Sequence, residues 1–373
     1  MANKRSTAYF FLEGLVDLGI EYIFANLGTD HVSLIEAMAE WRAEGRRHPE
    51  VVLCPHENVA IHMAGGYAAA TGRGQAVLVH VDAGTANAAM GMQNLCRARL
   101  PVLLLAGKAP FSLRGELPGS RDNYVHFVQD PFDIASLVRP YVKWEYNLPR
   151  GVVVKEVLRR AHSVMQSDPP GPVYLTLPRE VLAEDWDPTS VRPFGAEHHG
   201  PVAAGGIDEA RLEMLADELI AARSPMAVTA YLGRKAEAVA ALRDLAELCG
   251  IQVFEFQPSY LAMARDSVCF GGFDPVPALA DADVGLLLDV DVPWLPRFAA
   301  ENPRTRWLHI DVDPMKKDFP MWGFASHVRI QADCATVLGQ LSARIRAKAD
   351  AGFRERAARR LQQRAAQAAD RAS

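Results

Sequence analysis

Cysteine is scarce in this chain. Its five cysteines, Cys54, Cys96, Cys249, Cys269 and Cys334, are scattered over 373 residues and form no Cys-x-x-Cys pair. An odd, dispersed set argues against a disulfide framework or a cysteine metal site and fits a reducing compartment. Long apolar runs are lacking as well. No uninterrupted stretch approaches the roughly 20 residues that a membrane-spanning helix needs. Near the N-terminus, Glu13 and Asp17 break what would otherwise be the apolar core of a signal peptide. Charge of one sign does not dominate: a net charge of -5 gives no general drive toward nucleic acid. There is no Gly-x-x-x-x-Gly-Lys phosphate loop and no complete Gly-x-Gly-x-x-Gly. These absences predict a soluble, cytoplasmic protein with neither nucleic-acid nor membrane partners.

What is present is apolar and periodic. Hydrophobic residues make up 49% of the chain, enough for two cores. Residues 1–185 alternate helix and strand. Thr7 caps an expected helix to Leu18, Tyr22–Ala25 reads as a strand, and Val32–Ala43 as a helix. Val51–Cys54 is a strand before the helix Asn58–Ala70. Gln75–Val81 and Val102–Ala106 are apolar throughout, as strands buried on both faces are. A helix Ala86–Ala98 lies between them, and Val152–Gln166 and Val173–Leu177 complete the set. Residues 186–206 are dense in proline, glycine and polar residues and read as a linker. A second α/β cycle occupies 207–342, with strands at Met226–Ala230, Gln252–Glu255, Val284–Leu288 and Trp307–Ile310. Residues 343–373 form a basic helical tail, read as a solvated helix or as a patch for an acidic partner. The fold class is α/β, two doubly wound parallel-sheet (Rossmann-like) domains plus that tail.

The most informative segment is Cys54-Pro55-His56-Glu57-Asn58-Val59-Ala60, continuing through Met63-Ala64-Gly65-Gly66-Tyr67-Ala68 to Thr71-Gly72. A strand ends in a carboxylate and turns at once into a helix rich in small residues. Open α/β sheets place their ligands at the carboxyl ends of strands. A carboxyl group in apolar surroundings can retain a proton to share. The plain alternative is a strand-to-helix turn whose Glu57 favours the first helical turn.

The segment resembles the pyrimidine-binding signature of thiamine diphosphate enzymes, especially the acetolactate synthase group. The resemblance implies that Glu57 hydrogen-bonds the pyrimidine of thiamine diphosphate and favours the imino tautomer that accepts the thiazolium proton. It implies further cofactor-binding positions at Asn26 and Gly28, in Asn26-Leu27-Gly28-Thr29-Asp30-His31, and at Gly84 and Asn87. The last two lie in Asp82-Ala83-Gly84-Thr85-Ala86-Asn87, similar to the family's G-P-G-x-x-N turn with Ala83 replacing proline; Thr85 would cap the helix that follows. Gln129, in Phe127-Val128-Gln129-Asp130, matches an F-x-Q-E segment near substrate. His31 departs from the family's small residue; donation to substrate and a bond within its own loop both stay open. Lys143 falls where many members carry a lysine, although a surface lysine is the simpler reading. Arg114, Arg121 and Asp122 lie in a loop that could meet an anionic substrate.

Two family elements are missing. Thiamine diphosphate enzymes hold Mg2+ with a Gly-Asp-Gly turn and a later Asn pair, because a hard cation on a diphosphate needs oxygen ligands. Neither motif occurs in these 373 residues, and no metal ligands are assigned here. The resemblance therefore implies a 2-oxo acid decarboxylase or carboligase whose diphosphate domain lies on a separate polypeptide, as a homodimer or heterotetramer, or else a truncated chain. FAD is admitted for the central domain but not indicated. A non-catalytic regulatory or assembly subunit, and a nucleotide-binding module using the central domain, are the alternatives.

Overall fold

The structure, a computed structural model, describes residues 4–194 and 198–372. The chain divides into two compact units, Met1–Val202 and Ala203–Ser373. Residues 195–197, within the expected linker, lie outside the described residues, as does Ser373 of the tail.

The N-terminal unit runs β1 (Arg5–Ser6), α1 (Thr7–Asp17), β2 (Tyr22–Ala25), α2 (Val32–Ala43), β3 (Glu50–Leu53), α3 (Glu57–Thr71), β4 (Gln75–Val79), α4 (Val81–Ala98) and β5 (Val102–Lys108). It continues with α5 (Val125–Val128), β6 (Glu145–Asn147), α6 (Val154–Gln166), β7 (Val173–Pro178), α7 (Arg179–Ala183) and β8 (Asp185–Trp186). Six strands form one parallel sheet in the order β3-β2-β4-β5-β7-β6. The chain leaves β2 toward β3 and then crosses back to β4. Connections from β2 and β4 thus diverge, opening a crevice between their carboxyl ends, the place where doubly wound sheets take ligands.

Sequence explains the centre of this sheet. Every residue of β4 is buried, and β5 is buried up to Ala106 and Gly107. Such strands contact helices on both faces, so apolar residues run without alternation. The short pairs β1–β8 and β7–β6 were not expected: two or three residues carry no periodic signal. Ser6, not Thr7, caps α1, its Oγ accepting from the Tyr9 amide at 3.2 Å. Thr7 is buried and accepts the Trp186 indole N–H at 3.0 Å instead.

The C-terminal unit contains α8 (Glu209–Ala221), β9 (Pro225–Thr229), α9 (Ala236–Cys249), β10 (Gln252–Glu255), β11 (Phe270–Gly272) and α10 (Val276–Leu279). Then follow β12 (Val284–Leu288), β13 (Arg306–Asp311), β14 (Val328–Gln331), α11 (Cys334–Lys348) and α12 (Ala351–Ala372). Its six parallel strands lie in the order β11-β10-β9-β12-β13-β14, with the divergence between β9 and β12. That is the arrangement of a Rossmann-type sheet. β11 was not expected: it holds three residues, two of them glycines.

The tail differs from a solvated helix. α12 buries Phe353, Ala357 and Arg360. The Arg360 guanidinium donates to the carbonyls of Cys249 and Ala222, each at 2.8 Å. Basic residues of α11 also find acids within the unit: Arg344 pairs with Glu209 and Glu213, Lys348 with Glu213 and Asp217, and Arg346 with Asp244. Much of the charge assigned to an acidic partner is therefore matched internally.

Candidate active site

Glu57 is the first residue of α3, whose N-cap is His56. The cap side chain accepts from the Asn58 amide at 3.0 Å and lies 3.8 Å from Glu57 Oε2. Glu57 itself is only 7% exposed. Its Oε2 accepts a hydrogen bond from Asn87 Nδ2 of α4 at 2.9 Å. Its Oε1 faces Gly84, where a Cβ would stand 3.3 Å from that oxygen and 2.9 Å from Val79 Cβ. Glu57, Gly84 and Asn87 are thus in one place, and Gly84 keeps the space before the carboxylate clear. Small residues bring the helices close enough for this reach. A Cβ on Gly91 of α4 would sit 2.0 Å from Ile61 Cγ2 of α3. Within the small-residue run of α3, a Cβ on Gly65 would likewise sit 2.5 Å from Leu95 Cδ2 of α4.

Asp82–Asn87 differs from the expected turn. It is the start of α4, which begins at Val81 with φ 36°. His80 is the N-cap residue. Thr85 is buried one turn in and donates to the Val81 carbonyl at 2.8 Å, so it does not cap the helix.

The remaining positions gather at the crevice between β2 and β4. Asn26 ties three strand ends together: its amide donates to Leu78 O at 3.0 Å and its side chain to Cys54 O at 3.0 Å. Gly28 is required by a ring, since a Cβ there would lie 2.1 Å from His80 Nδ1. His31 is fully buried. Its Nδ1 accepts from the Gly28 amide at 3.0 Å, leaving Nε2–H to donate to Val79 O at 3.1 Å. Burial, together with the charge of His80, pushes its pKa down against the pull of Asp30. His31 is therefore a neutral loop brace, the second of its two readings. Gln129 lies near enough to His80 to help raise its pKa.

His80 and Asp30 were missed. Asp30 Oδ1 lies 2.5 Å from His80 Nδ1, with Asp30 2% exposed. Room for this carboxylate comes from Gly107, where a Cβ would stand 1.5 Å from Oδ2. Burial works to raise the Asp30 pKa, but the hydrogen bond from His80 and the proximity of the histidine rings leave it below the ordinary value. The Asp30 bond raises the His80 pKa, outweighing burial, with help from Gln129 and Asp82. A signal existed: His80 directly follows the valine-rich β4, where a ligand-facing residue belongs.

The other loop residues are committed elsewhere. Arg121 pairs with Asp130 at 2.5 Å, and Arg179 holds Asp122 at 2.9 Å. The Lys143 ammonium donates to the carbonyl of Ser167 at 2.8 Å.

Residues 5–137 match the family model "Thiamine pyrophosphate enzyme, N-terminal TPP binding domain". Residues 5–137 are thus of the thiamine pyrophosphate-binding N-terminal type. It is similar to the acetolactate synthase isozyme 3 large subunit of Escherichia coli (strain K12), 26% identical over 344 residues, 87% of this chain and 56% of that protein. It is also 27% identical over 213 residues to benzoylformate decarboxylase of Pseudomonas aeruginosa, 56% of this chain and 36% of that protein. A structure described as a thiamin diphosphate-dependent enzyme from Mycobacterium smegmatis superposes with a TM-score of 0.73 at 24% identity, covering 91% of this chain and 63% of that one. The thiamine diphosphate-dependent 4-hydroxybenzoylformate decarboxylase of Rhodococcus jostii RHA1 superposes at 0.70 and 20% identity, covering 91% and 62%. These superpositions establish the fold. The chain spans about half the length of the acetolactate synthase it matches.

For a thiamine pyrophosphate enzyme, the pyrimidine end of the cofactor fits this site: a buried carboxylate, one oxygen held by Asn87, the other opposite a glycine. The end of β9 in the C-terminal unit offers little to a flavin's pyrophosphate. The amides of Ala230 and Tyr231, at the end of β9, are spent on the Asp289 carbonyl at 3.2 and 3.0 Å. A Cβ on Gly233 would meet Leu261 O at 2.0 Å, so this glycine serves packing and not the approach of a pyrophosphate. Lys316 fills the space behind, fully buried, reaching Asp311 at 2.7 Å, Asp291 at 3.0 Å and the Tyr231 hydroxyl at 2.7 Å. Among the described residues, no helix is long and apolar enough to cross a membrane.

Proposed function

We propose that this chain is the pyrimidine-binding subunit of a thiamine diphosphate-dependent enzyme that decarboxylates or carboligates a 2-oxo acid. The observation that carries it is Glu57, buried, anchored by Asn87 and opposite the open side of Gly84. The chemistry that bound thiamine diphosphate would supply is stabilisation of negative charge on the former carbonyl carbon as the carboxylate leaves as carbon dioxide. Glu57 would meet the pyrimidine ring through Oε1, the oxygen that Asn87 does not engage. Asn87 fixes the carboxylate so that the free oxygen does not rotate away. The walls of the turn, Val79 and Gly84, keep water from the acid.

The diphosphate and its Mg2+ would be held by residues outside these 373, on a separate polypeptide or on a further part of the same one. Two facts support this: the 373 residues contain neither Gly-Asp-Gly nor an Asn pair, and apolar side chains are exposed around Glu57. Leu53 is 72% exposed, Met90 58%, and Val59 and Met63 each 42%. A patch of this kind marks a protein interface. The cytoplasm is the compartment that suits the free thiols.

The test is reconstitution. The chain is mixed with a polypeptide bearing the metal motif, thiamine diphosphate, Mg2+ and pyruvate or benzoylformate, and carbon dioxide release is followed. Glu57→Gln is expected to lose turnover by about a hundredfold or more, the usual worth of a positioned acid–base group. Full turnover in that variant would overturn the reading, whereas partner binding without any turnover favours a regulatory subunit.

A further inference from the structure

A groove between β6 and α6 stands apart from the crevice of Glu57. α6 packs into the core on the sheet face that α1 and α2 cover, whereas α3 and α4 pack on the opposite face. β6 is the last strand of its sheet, so no further strand covers it. Between β6 and α6 lies a cavity of about 490 Å3. That is within the size range of small-molecule sites.

One wall is aromatic. Trp144, just before β6, and Tyr146, within it, are two positions apart and project from the same face of the strand. Their rings stack, with centroids 5.4 Å apart and planes 18° apart. Trp144 packs against the core, while Tyr146 is 44% exposed, so the outer end of the stack is open. The facing wall comes from α6 and the turn before it. Val153 and Val157 give it an apolar floor, and Glu156, Arg159 and Arg160 form the rim.

The rim charges are unmatched. Glu156 and Arg160 stand four positions apart on one helix, a spacing that commonly gives an ion pair, yet the two form none. Among the described residues, neither Arg159 nor Arg160 meets a carboxylate. Each lies by a ring instead: Arg160 is 6.0 Å from the centre of Trp144, and Arg159 is 5.9 Å from that of Phe194. Other arginines of this unit, Arg121, Arg139, Arg150 and Arg179, all hold acids. A guanidinium beside an aromatic face keeps its N–H donors free in its own plane, ready for a planar anion. Two arginines and one glutamate leave the rim one positive charge in excess. A single carboxylate balances that charge, whereas a dianion would also be repelled by Glu156.

We propose that this groove is a binding site for a monoanionic planar aromatic acid. The ring of the acid extends the Trp144–Tyr146 stack, and its carboxylate is held by Arg160 and Arg159. The site is independent of the 2-oxo acid reading above, because none of its residues touches Glu57 or Asn87.

Isothermal titration calorimetry of the 373-residue chain with 2-naphthoate tests this without turnover. Saturable binding is expected with a Kd of about 1 mM or tighter, the level for a ligand of this size. Neutral 2-naphthamide and dianionic 2-naphthyl phosphate are each expected to bind about fivefold or more weakly. Arg160→Gln is expected to weaken naphthoate about tenfold, the worth of a hydrogen bond to a charged group, and Tyr146→Ala about fivefold. No saturation by about 10 mM overturns the proposal, as does equal affinity for the three probes, and neither result depends on a variant folding. Affinity unmoved by both Arg160→Gln and Tyr146→Ala also overturns it. Glu57→Gln is expected to leave naphthoate binding in place; loss of binding there would move the acid to the pyrimidine crevice and overturn the site. Failure here is thus distinguishable from failure of the reconstitution experiment.

Discussion

Both units place charged groups where their sheets diverge, yet the two crevices are built to different ends. In the N-terminal unit, His80 retains 24% exposure and its acidic partner lies beneath it. In the C-terminal unit, Lys316, Asp311 and Asp289 near the corresponding divergence are essentially sealed: Lys316 and Asp311 bond each other and Tyr231, and Asp289 pairs with Arg234. The same topology thus yields one crevice that offers a charge and one that consumes its charges internally. Sheet order shows where a ligand could sit; only the side-chain ledger shows whether the place is taken.

Removing one side of the sealed network should have the largest effect. Lys316→Ala leaves Asp311 and Asp291 without their shared cation, and uncompensated buried charges cost about 3–5 kcal/mol. Urea denaturation should show the C-terminal unit melting early while the N-terminal unit is unchanged. Equal loss in both units would erase the contrast between them.

The next effect is a pH dependence whose window differs between the two crevices. Burial, with Asp311 adding to it, raises the Asp289 pKa to about 6 from 3.8. A raised acid disfavours folding once ionised, so its penalty is absent below the unfolded value and develops as pH rises through the folded one. The C-terminal unit should therefore lose about 1–3 kcal/mol between roughly pH 4 and 6, and Asp289→Asn should flatten that slope in pH-dependent denaturation. His80 behaves differently. Its raised pKa gives stability that is full below the ordinary histidine value and is lost as pH climbs through the folded value. Asp30, lowered, contributes above the ordinary carboxylate value and loses its share only in acid below it.

Smallest is the effect of Gly28→Ala. The new Cβ would collide with His80 Nδ1, the end of a side chain that can swing aside, so a cost near 1 kcal/mol is expected. Its larger signature is a lowered His80 midpoint, measured by NMR titration of the histidine rings. A stability loss without a shifted midpoint would mean that the ring does not depend on the glycine.

The fold was legible because continuous apolar runs such as Gln75–Val79 and Val284–Leu288 have one economical placement, a central parallel strand. The strands β1, β6, β8 and β11 were not, because pairing across long sequence separations decides them. Glu57 and Asn87 could be read as a pair because both sit in recognisable motifs, and they do meet. Asp30 could not, because its meaning depends on Gly107, 77 positions later along the chain by number. His31 drew attention as the only unusual residue of its loop, while the more exposed imidazole stood on a different strand end. The tail misled for a similar reason: its arginines look unpaired in sequence, but their acids lie more than a hundred positions upstream.

A side chain at position 107 and a carboxylate at position 30 exclude each other, since a Cβ there would stand 1.5 Å from Oδ2. The two positions therefore have a one-way mutational order. A lineage can give up the acid first and later fill the cavity, whereas filling it first expels the acid and discharges the histidine in a single step. Recovery of the charged pair retraces that order: the side chain at position 107 must go before the acid can return.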